Sequence, residues 1–227
     1  MKLMRICLAV ILYFALTVPA FSQVDNKKAS KSKDIVLPAP QTEKGKPLMQ
    51  VLKKRQSSRE YSTRDLSIQE LSNLLWAANG ISRPKSGKRT APSAVNWQEI
   101  DIYVSKQDGL YLYNAQKNIL EILMPDDIRE FTGTQPFVKD APINLIFVAD
   151  LSKTKKSTQM TEENINFYSA IDTGYISQNV YLYCASEGLA TVVRGNFDKA
   201  ALTKIMKLPE TKKVIICQTV GYPAVNK

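Results

Sequence analysis

The stretch INLIFVAD at residues 143–150 is apolar at both alternate sets of positions. A strand with one wet face alternates apolar and polar side chains, whereas a continuous apolar run belongs to a strand covered on both faces. The rest of the chain reads as a supply of covering elements. EIDIYVS and LYLYN have strand character and are joined by KQDG, a turn signal. ATVVRG and KVIICQTV read as two further strands. Pro47 opens a helix in which Leu48, Val51, Leu52 and Arg55 share a face. Ser67-Ile68-Gln69-Glu70 is a capping box ahead of a second helix, with Leu71, Leu74, Leu75 and Ala78 as its buried stripe and Gly80 as its stop. The longest helix runs from Glu162 to Glu187, ending at Gly188, with Ile165, Tyr168, Asp172, Tyr175, Asn179, Val180 and Tyr183 at three- or four-residue intervals. A short helix is expected over residues 198–207, and SRPKSGKRTAPSAVN is too rich in Gly, Pro and Ser for a regular element. Helices mixed with a hairpin and no internal repeat give an α+β class, one folded domain over residues 37–227.

Residues 1–22 read as an export signal. Lys2 and Arg5 form a positive start, residues 6–18 an apolar run short for a membrane span, and Ala20-Phe21-Ser22 a small-residue box. Cleavage between Ser22 and Gln23 would leave a polar, lysine-rich linker at residues 23–36 and a periplasmic or secreted protein with no membrane attachment; the alternative is a retained N-terminal anchor. Cys7 falls in the signal. Cys184 and Cys217 sit in apolar stretches, where buried free thiols are the simpler reading, although an oxidising compartment would permit a disulfide.

The chain has no histidine, which excludes the Ser/His/Asp triad, the Cys/His dyad and every His-ligated metal. Its net charge of +10 is spread in small clusters such as Lys53-Lys54-Arg55, without a basic arm. That pattern describes a solvated surface, and no nucleic-acid partner is expected.

Three segments carry possible chemistry. Arg55-Gln56-Ser57-Ser58-Arg59 places guanidinium forks and hydroxyls at a helix end, a donor set suited to phosphate. Residues 89–98 (RTAPSAVNWQ) form a loop of small and amide side chains able to approach the edge of a heterocycle. In residues 188–198 (GLATVVRGNFD) a strand runs into a glycine ahead of a helix start, where a backbone N–H can meet a ligand. Surface polarity or turn structure explains each segment taken alone.

Together and in this order they resemble the nitroreductase family of flavoenzymes, over nearly all of the folded chain. RQSSREY is similar to the opening R-x-S-x-R-x-[FY] motif, APSAVNWQE to P-S-x-x-N-x-Q, DTGYISQNVYLYCASEGLAT to the long helix and following strand, and QTVGYP to the closing strand. LLWAANGI and RTAPSA resemble the azoline dehydrogenase branch. The resemblance implies a mostly antiparallel sheet flanked by helices, a homodimer, and FMN between subunits. It implies that Arg55, Gln56, Ser57 and Arg59 hold the phosphate end, that Pro92, Ser93, Ala94 and Asn96 line the ring, and that Arg194 and Gly195 present a backbone N–H to flavin N5. The flavin would perform the redox step on a small organic substrate, with no protein nucleophile. Asp172, Gln178 and Asn179 are either flavin ligands or structural polar groups at a dimer interface. Relatives carry a basic tail past G-Y-P; Lys227 is a poor substitute for it, which puts the phosphate contacts and subunit exchange in question. The alternative reading is a non-catalytic binding protein on the same fold.

Overall fold

The computed structural model describes residues 33–154 and 160–224. The signal, its cleavage site and most of the linker lie outside them, as does Lys227. Seven strands form the main sheet in the order β1-β6-β5-β4-β7-β9-β8, each pair antiparallel. They are β1 Ile35–Val36, β4 Ile100–Lys106, β5 Gly109–Asn114, β6 Ile119–Met124, β7 Ile143–Asp150, β8 Ala190–Arg194 and β9 Lys212–Gly221. A separate ribbon pairs β2 Ile81–Arg83 with β3 Lys88–Arg89. The helices are α1 Leu48–Lys54, α2 Ile68–Asn79, α3 Phe137–Asp140, α4 Glu162–Glu187 and α5 Lys199–Ile205.

The stretch INLIFVAD is β7, between β4 and β9, and all its residues are buried. Ile143, Leu145, Phe147 and Ala149 join one core with Leu71, Leu74 and Leu75 of α2 and Ile176, Val180 and Cys184 of α4. Ile146 and Val148 point the other way, into a second core with Phe197 and with Leu202 and Met206 at α5. Each such aliphatic side chain contributes about 1.5–3 kcal/mol when fully buried. Ser67 and Glu70 form the expected capping box, with Ser67 N–H donating to Glu70 Oε2 at 2.8 Å. Gly188 ends α4 at φ 75°, a left-handed cap that costs glycine little.

Four local expectations change. Ile35–Val36, assigned to the linker, pairs with β6 as an edge strand. β6 itself was not foreseen, and part of the supposedly irregular stretch after Gly80 forms the β2–β3 ribbon. On α1 only Val51 is buried, while Leu48 and Leu52 of its apolar face are exposed. The cysteines are free, in agreement with the simpler reading: Cys184 lies in the α2–α4 core and Cys217 in the α5 core, with the sheet between them. Burial pushes both thiols up, Cys217 to about 12, so neither is a ready thiolate.

Arg194, expected with Gly195 to present a backbone N–H to the cofactor, has its side chain buried under the end of the sheet at 5% exposure. One terminal nitrogen donates to Asn144 Oδ1 of β7 at 2.7 Å and to Thr219 Oγ1 of β9 at 2.6 Å. The other donates to the Thr132 carbonyl, in the turn before α3. The segment containing Gly133 lies so close that a methyl group there would collide with the guanidinium and with Val138. Gly133 is extended, so space and not backbone conformation requires glycine.

Gly133→Ala is therefore expected to destabilise the protein by about 1–3 kcal/mol through overpacking, lowering the melting temperature by several degrees. Gly195→Ala, with no atom within 4 Å of the added carbon, should leave it unchanged. Thermal melts of the two variants check this.

Candidate functional site

Residues 55–61 leave α1 and run as a strap along β8. Ser58 N–H donates to the Thr191 carbonyl at 2.9 Å, and the Tyr61 hydroxyl to the Ser58 carbonyl at 2.7 Å. Tyr181 of α4 anchors both sides: its hydroxyl accepts Val193 N–H at 3.0 Å and lies 2.9 Å from Ser57 Oγ. The Arg55 guanidinium stands over the Tyr181 ring, 5.3 Å from its centre. Neither Arg55 nor Arg59 has a carboxylate partner among the ion pairs of the described residues. Gln56 and Ser58 line a cavity of about 460 Å³ together with Lys46, Lys53, Lys54, Tyr181 and Thr191. Gly195 is exposed at the end of β8, with open space where a side chain would stand. These residues fit a phosphate-bearing planar ligand, offering unpaired guanidinium groups, hydroxyls and a glycine beside open space.

The other expected group is separate. Ala94–Asn96 makes a single 3₁₀ turn, and Val95, Asn96 and Gln98 have φ of 51°, 56° and 52°. Such left-handed conformations cost non-glycine residues about 1–2 kcal/mol each, so contacts must hold the turn. Asp172 Oδ2 accepts Ala94 N–H at 2.7 Å, and Ser93 Oγ accepts Gln98 N–H at 3.0 Å. The Gln98 side chain donates to Asn96 Oδ1 at 3.2 Å and accepts from Arg89 Nε at 2.9 Å. The turn leaves Pro92, Val95 and Asn96 exposed, with Ser93 and Ala94 half-buried. Beneath it, Glu99 is fully buried; desolvation and the nearby Asp172 charge push its carboxyl up to about 7. Burial also raises Asp172, against the opposing hydrogen bond from Ala94.

The structure brings Arg55, Gln56, Ser57 and Arg59 to the same edge as Gly195, but leaves residues 92–96 elsewhere. Their anchors, Tyr181 and Asp172, are nine residues apart on α4. At helical geometry that is about 13 Å along the axis and half a turn around it. The two groups are thus anchored on opposite faces of one helix. Of the remaining polar candidates, Asp172 holds the turn, Asn179 donates to the Ala78 carbonyl of α2 at 3.3 Å, and Gln178 is exposed. Sequence reasoning missed Tyr181 and Glu99. Tyr181 shares the buried face of Ser177 and Cys184 at helical spacing, the one signal available for it. Glu99 follows directly on the motif and carried no signal of its burial.

A groove of about 1050 Å³ between α5 and β9 touches none of the expected residues. No helix among the described residues is long and apolar enough to cross a membrane.

A presumed nitroreductase of Methanocaldococcus jannaschii is 33% identical over 173 residues, covering 72% of this chain and 85% of that protein. The crystal structure of a presumed nitroreductase from Ralstonia eutropha is 40% identical and superposes with a TM-score of 0.81, covering 87% of this chain and 92% of that one. The NADPH:FMN oxidoreductase of Vibrio harveyi shares the fold, at a TM-score of 0.58 and 18% identity, over 79% of this chain and 70% of that one. The nitroreductase family model matches residues 52–222. With its antiparallel sheet and flanking helices, the chain belongs to the nitroreductase family.

Proposed function

We propose that this family member is an exported FMN-dependent oxidoreductase that acts on a small organic substrate as a homodimer. The observation that carries the reading is the strap along β8. There Arg55 and Arg59, without carboxylate partners, lie on the same edge as Gly195, which has open space beside it. Arg55, Gln56, Ser57 and Arg59 would hold the phosphate end, and the Gly195 backbone N–H would face the ring. Bound flavin would supply two-electron transfer at its N5. Tyr181 keeps the phosphate residues and the strand end in register through Ser57 and Val193. The buried Arg194 side chain holds β8 in place and has no part in contacting the ligand.

The same geometry supports the dimer. One chain anchors its clamp and its Ala94–Asn96 turn on opposite faces of α4, so a turn from a second copy would complete the ring side. Exposed apolar side chains on α4 and α1 suit such packing, among them Phe167 at 61% exposure and Met49 at 75%. Nicotinamide cofactors are not expected outside the cytoplasm. We therefore place the electron donor or acceptor in another class, and treat a nitro compound as a family label. The spellings LLWAANGI and RTAPSA support a place near the azoline dehydrogenases. Residues 1–22 would direct export and be removed between Ser22 and Gln23.

The purified protein is expected to be yellow, bleached by dithionite and recoloured in air; turnover with a reductant separates an enzyme from a binder. In titrations, Arg55→Ala should weaken FMN by about tenfold to a hundredfold, the loss of one charge-assisted phosphate contact worth about 1.5–3 kcal/mol. Riboflavin, lacking the phosphate, should bind both proteins alike. An equal loss for riboflavin would remove Arg55 from the phosphate site. Light scattering should report twice the chain mass, and a monomer that binds FMN fully would contradict the shared site.

A further inference from the structure

Glu99 lies under the Ala94–Asn96 turn and takes no part in the function proposed above. It is 0% exposed, and both its carboxyl oxygens, like the Ser169 hydroxyl, have no hydrogen-bond partner among the described residues. Its charged neighbour on α4 is Asp172, itself 3% exposed. Among the described residues no cation is placed to balance the two acids. Arg89 of β3 lines the same small cavity, but donates to Gln98 and to the Asn79 carbonyl. From α2, the Asn79 amide donates to the Ile100 carbonyl. From β7, Asp150 N–H meets the Glu99 carbonyl, while the Asp150 carboxylate turns to Ser152 and Lys212.

Two carboxylates without a cation in a desolvated space do not both ionise. Hydrogen bonding decides which keeps the proton. Asp172 receives Ala94 N–H at 2.7 Å, which favours its charged form. Neither Glu99 oxygen has a donor at full hydrogen-bond geometry, and the nearby Ser169 hydroxyl and its own backbone N–H offset only part of the larger desolvation, so the proton resides there. We infer that Glu99 is a proton-holding positioning residue: as a neutral acid it lets Asp172 carry the single negative charge that pins Ala94 N–H. When Glu99 ionises, repulsion between the two acids loosens the left-handed turn. That a loosened turn also weakens flavin binding rests on the function proposed above; the loosening itself does not.

The sign follows from linkage. An acid whose folded-state value is raised stabilises the fold below the ordinary carboxylate range, and that contribution is lost as pH rises towards the raised value. For Glu99 this value is about 7. The turn should therefore be firm in mild acid and loose in mild alkali.

Glu99→Gln keeps the neutral, isosteric form at every pH. Hydrogen exchange of the mature protein between about pH 5.5 and 8.5, corrected for intrinsic rates, reads the turn directly. Protection of the Ala94 amide in the wild type should fall by about tenfold or more over this range, the scale set by one to two pK units. In Glu99→Gln it should stay level. An equal fall in both proteins would overturn the inference. Should the variant fail to fold, infrared difference spectra of the wild type decide the matter: a protonated-carboxyl stretch present near pH 6 and lost by about pH 9 supports it, and its absence overturns it. FMN titrations across the same range form a separate arm. PH-dependent protection with pH-independent FMN affinity would uphold Glu99 as the proton holder while removing the turn from the flavin site.

Discussion

A guanidinium taken out of water must be given hydrogen bonds or it destabilises the fold that buries it. Arg194 meets that condition through both terminal nitrogens, which donate to Asn144, Thr219 and the Thr132 carbonyl and join β7, β8, β9 and the turn before α3, while its Nε alone lacks a partner among the described residues. Much of the architecture follows. β7 is buried on both faces, so the polar side chain of Asn144 needs a partner inside the sheet, and Arg194 supplies it. The turn at Gly133 must approach without a side chain. The end of β8 is thereby fixed, and Gly195 emerges from it at a defined place. On the opposite face of β9, Gln218 accepts from Ser177 of α4 and donates to Thr191 of β8. The edge strand is pinned from both sides.

The long helix then acts as a divider. Ser177, Tyr181 and Cys184 look inward, and Tyr181 extends its hydroxyl to the strap and to β8. Half a turn away, Asp172 holds a strained turn. A stiff helix keeps these groups apart within one chain, which is why the proposed function needs two copies. The apolar side chains left exposed on α1 and α4 are the surface such an assembly would bury.

Periodicity makes several elements legible in the sequence. β7, the α2 capping box, the left-handed Gly188 and the span of α4 were each readable from local pattern. β6 was not: in ILEILM the apolar positions suit helical spacing as well as alternation. On α1 the pattern identified an apolar face correctly, but periodicity does not say whether the same chain covers it. Site residues divided the same way. Residues 55–59 and Gly195 were each singled out because a contiguous motif carries them, and both lie along the β8 edge. The structural role of the Arg194 side chain was not legible because its partners Asn144 and Thr219 are 50 and 25 residues away, and only the sheet register brings them beneath β8. Glu99 offered no local sign of burial, since its acid neighbour lies on α4.

The claim that two copies share each site is tested most directly by mixed dimers. One copy would carry Arg55→Ala with Arg59→Ala, and the other Ser93→Ala with Asn96→Ala. Each variant alone should bind FMN poorly. A purified dimer containing one of each has one site with both halves intact and one with both halves altered. FMN titration of that dimer should recover wild-type affinity at one flavin per dimer. A mixed dimer as weak as its parents would contradict the shared site, because it would place both halves of the site in a single chain.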